Sequence, residues 1–143
     1  MEAAGQLGIT GVDNLTAFTK TMIELGDTTN ISSDEAATAL ARFMNITGED
    51  TANVEQLGSA IVDLGNNFAT DEASIVAMST RLASAGTIAG MSSTDILALS
   101  AAMSSVGIEA EAGGTAMTQT LTSISTAVSE GGEKLEALAN IAG

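Results

Sequence analysis

The sequence predicts an all-α protein: a compact bundle of seven to eight short antiparallel amphipathic helices joined by short Gly, Ser and Thr turns. Three observations predict it. There is no proline among the 143 residues, so nothing in the composition breaks a helix outright. Apolar residues recur at steps of three and four, the spacing that lays one stripe along a helix. Each periodic run stops at glycine and starts at Ser, Thr or Asp, which supply the left-handed stop and the capping oxygen that helix ends need. The length fits one domain, read as residues 1–143 and as a segment of a longer chain, because Met1 runs straight into an Ala-rich helical phrase.

The elements follow in order. A short helix is predicted over about 2–7. The next, about 12–25, carries Leu15, Phe18, Met22 and Leu25. A third, about 33–46, carries Ala36, Leu40, Phe43 and Met44. A fourth, about 52–67, carries Val54, Leu57, Ile61 and Leu64, with Phe68 closing the stripe and Gly58 and Gly65 on its shoulder. Glycine inside a helix costs about 0.5–1 kcal/mol against alanine. Two of them on one shoulder predict a neighbouring helix too close for a Cβ, the alternative being an exposed face indifferent to the residue it carries. Helices at about 71–87 (Ile75, Met78, Leu82, Ala85), 93–105 (Ile96, Leu99, Met103, Val106), 110–129 (Met117, Leu121, Ile124, Val128) and 133–142 (Leu135, Leu138, Ile141) complete the set. Connections of two to six residues predict antiparallel hairpins.

Two starts carry the same signal 60 residues apart, "NISSDE" at 30–35 and "GMSSTD" at 90–95. Ser32 with Glu35, and Ser92 with Asp95, have the spacing of a capping box, and Met91 with Ile96 that of a hydrophobic staple. "GITGVD" at 8–13 is a looser third copy built on Thr10 and Asp13.

Composition excludes more than it suggests. Eighteen acids against four basic residues give a net charge of −14, which repels phosphate and anionic lipid alike. His, Cys, Tyr and Trp are absent, and with them the usual general bases, thiolates and most metal ligands. The carboxylate pairs Asp34–Glu35, Glu49–Asp50, Asp71–Glu72 and Glu109–Glu111 all fall at helix starts, where capping explains them. A glycosidase needs aromatic walls that three Phe cannot build. "NITGEDTAN" at 45–53 lacks the calcium-loop layout, and "EAEAGGTAM" at 109–117 has neither the lysine nor the strand of a phosphate loop. The prediction is therefore no catalytic residue, no metal and no cofactor. Residues 112–129 form an uncharged run of 18, but eight are Ser or Thr, which favours a buried bundle helix over a membrane span.

The phrases "EAAGQLGITG" (2–11), "TNISSDEAATALARFMNITG" (29–48), "VEQLGSAIVDLGNNFATDEASI" (54–75) and "AGTIAGMSSTDILALSAAMSSVGIEAEAGGTAM" (85–117) together resemble the core region of phage tail tape measure proteins. The likeness spans nearly the whole chain and thins after about residue 120. It implies a structural virion protein, mostly helical, that occupies the tail tube, helps set tail length during assembly and leaves ahead of the DNA. It further implies contact with other copies of itself, with tail tube, tail-tip or baseplate proteins and with tail assembly chaperones. The implied location is the virion tail, after assembly in the host cytoplasm, with membrane contact only during ejection. The long rods, membrane-crossing stretches and cell-wall hydrolase modules of some family members have no counterpart in these 143 residues. A membrane-active segment and a tail-tip docking module are the alternatives.

Overall fold

A computed structural model describes residues 8–142, so the helix predicted over 2–7 lies outside the described residues. Among the described residues seven helices form: α1 (Val12–Thr28), α2 (Ser33–Thr47), α3 (Val54–Asn67), α4 (Glu72–Ile88), α5 (Ser93–Ser105), α6 (Ala110–Glu130) and α7 (Glu133–Ala142). The described residues contain no strand. The start predicted at 52 is instead a 3₁₀ turn, Thr51–Asn53, capped by Asp50 accepting from the Ala52 N–H at 2.9 Å.

Contacts between helices fix their directions. Gly8 faces Asn45 while Gly26 faces Ser33, so α1 and α2 are antiparallel. In α4 and α5, Gly86 lies against Ile96 at one end and the Thr70 and Ser104 hydroxyls meet at 2.5 Å at the other. Helices two apart run parallel: Lys20 and Thr21 of α1 lie beside Glu55 and Gly58 of α3. The chain thus alternates up and down. Its principal packed pairs, α1–α2, α1–α3, α2–α4, α3–α4, α3–α5, α4–α5, α4–α6 and α6–α7, all lie one or two steps apart in chain order.

One core runs through α1 to α5, built on Phe18, Leu40, Met44, Ile61, Ile75, Met78, Leu82, Ile96 and Leu97. The single-stripe expectation fails for α4. Because four helices enclose it, it buries Val76, Ser79, Ala83 and Gly86 as well as Ile75, Met78, Leu82 and Ala85. Small polar residues fit there without a cross-helix partner. Ser79 donates to the Val76 carbonyl at 3.0 Å and Ser100 to that of Ile96 at 2.6 Å, so each hydroxyl is satisfied by its own helix.

The stripes predicted for the last two helices are mostly uncovered. Gly113 and Gly114 of α6 lie against Met78 and Arg81 of α4, a register that brings Leu121 level with the end of α4. Beyond that point α6 has no α4 to cover it. Ile124 and Leu135 lie at the edge of exposure, Val128 is 58% and Ile141 84% exposed, and only Ala127 is buried. Val106, past the end of α5, is exposed as well.

Candidate functional site

Among the residues singled out by sequence, the α3 stripe divides. Val54, Leu57, Gly58 and Ile61 are buried, Leu64 and Gly65 half-buried, and Phe68 is 43% exposed. Phe68 is a correction: α3 ends at Asn67, and Phe68 turns to extended backbone (φ −113°, ψ 158°), which carries its ring off the stripe. The two shoulder glycines also have different neighbours. A Cβ on Gly58 would stand 2.6 Å from Thr21 Cγ2, so α1 and α3 meet there at a separation only glycine allows. A Cβ on Gly65 would instead meet the flexible Glu72 side chain at 2.5 Å. Lys20 ties the same seam from outside, 3.6 Å from Glu24 and 3.8 Å from Glu55, both exposed pairs that add little stability.

The helix starts are closed by side chains. Ser32 accepts from the Glu35 N–H at 3.3 Å, and the Glu35 carboxylate accepts from the Ser32 N–H at 3.2 Å. Ser92 and Asp95 repeat this at 3.2 and 3.1 Å. Asp71 caps α4 by accepting from the Ser74 N–H at 2.9 Å, and the Asn30 amide donates to it at 2.9 Å from before α2. That link joins two helix starts, and sequence spacing gave no sign of it. The looser copy at 8–13 does not cap: α1 follows Gly11 (φ 89°) with no side-chain hydrogen bond.

These bonds lower three carboxyl pKa values. The Ser32 hydroxyl, then its N–H, lowers Glu35; the Ser92 hydroxyl, then its N–H, lowers Asp95; the Asn30 amide, then the Ser74 N–H, lowers Asp71. A carboxyl with a folded pKa below its unfolded one stabilises the fold above the unfolded value, and this stability drains away as pH falls through the folded one. Thermal melts of the wild type should therefore lose more stability between about pH 5 and pH 3 than melts of an E35Q/D95N variant. Replacing Asp71 by alanine removes a cap and the Asn30 link and is expected to cost about 1–2 kcal/mol by denaturant titration.

No group of three or more acids among the described residues is placed to hold a metal ion, and the predicted pairs stay at separate helix starts. No described helix is long and apolar enough to cross a membrane. What the arrangement shows is close packing of helix on helix. A model of the family described as phage-related minor tail protein matches residues 1–142. No curated protein and no solved structure matches.

Proposed function

The chain belongs to the phage-related minor tail protein family, and from that premise we propose that it is the helical core segment of a tape measure protein. On this reading it is part of a longer chain inside the tail tube, helps set tail length during assembly and is released at genome ejection. The family match, running the length of a helical bundle with close helix contacts, carries the proposal. The net charge of −14 supports it, since a body sharing a lumen with DNA must not adhere to phosphate. Copies of itself, tube or tip proteins and assembly chaperones are the partners it implies.

The test is position and length. Cross-links from Lys20 or Lys134 in intact tails should reach the tube protein, and an in-frame duplication of the segment should lengthen tails in electron micrographs. Segments found outside the tube, or tails of unchanged length, would refute the reading. The segment should show no saturable binding to duplex DNA at low salt. Submicromolar affinity there would contradict the charge argument.

The uncovered apolar residues of α6 and α7 favour a second reading, a tail-tip docking or membrane-active module. Dye release from liposomes separates membrane action from the tube role: the tube reading expects none.

A further inference from the structure

Arg42 and Arg81 are two of four basic residues in a chain with 18 acids, yet among the described residues neither forms an ion pair or a hydrogen bond. Both line one open groove of about 660 Å³ between α2 and α4, floored by Ala39 and Ala77 with Thr38 and Thr80 beside them. Asn30, just ahead of α2, donates to Asp71 and accepts from the Ala73 N–H at 3.1 Å, so the two helices start at the same end. That register sets the two arginines within about a turn of each other along the groove. Gly114 holds one of them in place. A Cβ there would stand 2.8 Å from Arg81 Cβ, so its absence lets the arginine stem lie against α6.

Two like charges side by side, unpaired on a surface rich in acids, repel each other until an anion joins them. The acids of this groove do not supply it. Asp34 and Glu35 sit about two turns back along α2, and Glu35 is held by the Ser32 cap. The small-residue floor admits a helix at close range, and a guanidinium fork matches a carboxylate. A nucleic-acid backbone fits less well, because two arginines can pair with only two of its phosphates and the net charge of −14 opposes the rest, whereas a helix can carry its acids at those two positions alone.

We propose that the α2–α4 groove docks an acidic helix of a partner protein, with Arg42 and Arg81 receiving carboxylates one turn apart. The proposal does not rest on the tape measure reading, because groove, floor and charges are properties of this chain alone. The experiment titrates the isotope-labelled 143-residue chain with an alanine-based helical peptide bearing glutamates at i and i+4. A peptide with glutamine in their place serves as control. The expected result is saturable amide shifts at Thr38, Ala39, Ala77 and Thr80 with the glutamate peptide only. Affinity should weaken with salt, fall about threefold in R42Q or R81Q alone, and fall at least tenfold in the double variant. Circular dichroism checks that the variants, changed at exposed positions, stay folded. Equal binding of the glutamine peptide, unchanged affinity in folded R42Q/R81Q, no saturable shift, or displacement of the peptide by duplex DNA or inorganic phosphate would overturn it.

Discussion

Replacing Phe18 by alanine is expected to lower the unfolding free energy by about 3–5 kcal/mol, measured by urea titration at constant slope. Aromatics are only 2% of the sequence, so the three Phe are its bulkiest side chains. Phe18 is 1% exposed, in a core whose other ring is Phe43 and whose remaining side chains are aliphatic, Met and small residues. Removing it takes away the transfer energy of a ring and leaves a hole that α1 cannot close without parting from α2 and α3. The internal control is Phe68→Ala. That ring lies past the end of α3 and is 43% exposed, so its loss should cost under about 1 kcal/mol. Similar losses at the two positions would show that the core is not placed as described.

The second large effect is expected at Gly58. Leucine there should cost about 3 kcal/mol, because its branched side chain must displace Thr21. Thr21 cannot easily yield: it is buried, stiff at χ1, and its hydroxyl donates to the Ala17 carbonyl at 3.0 Å. Gly65→Ala should go the other way, gaining up to about 1 kcal/mol of helix propensity, since only the flexible Glu72 side chain, from its Cγ outward, must swing aside. Opposite signs at two glycines seven residues apart would place the close helix crossing at Gly58. Equal destabilisation at both would overturn that placement.

These contrasts show what was legible in the sequence. Helix identity and limits were, because starts and stops are written locally: Ser32–Glu35 and Ser92–Asp95 need only four consecutive residues, and Gly48 (φ 70°) ends α2 by its backbone freedom alone. Which face is covered was legible where the covering helices leave the opposite face to solvent, as for Phe18, Met22 and Leu25 of α1 beneath α2 and α3. It was not legible where coverage depends on how far a neighbour extends. Ile124 and Val128 have the same spacing as buried residues elsewhere, and only the register of α6 on α4 shows that α4 ends before them. Phe68 fails for a related reason: the stop near 67 was legible, but helical periodicity carried one residue past it no longer says which way a side chain turns. The arginine pair was invisible too, since Arg42 and Arg81 lie on different helices and only tertiary register brings them to one groove.

The wiring of the bundle has a mechanical consequence. Its principal contacts join each helix to those one or two steps away in the chain, and among the described residues none of them ties the first helices to the last. Tension applied at either end would meet a succession of small barriers instead of one large one. Such a body yields rung by rung, and a single-molecule stretching trace would record a staircase of modest steps.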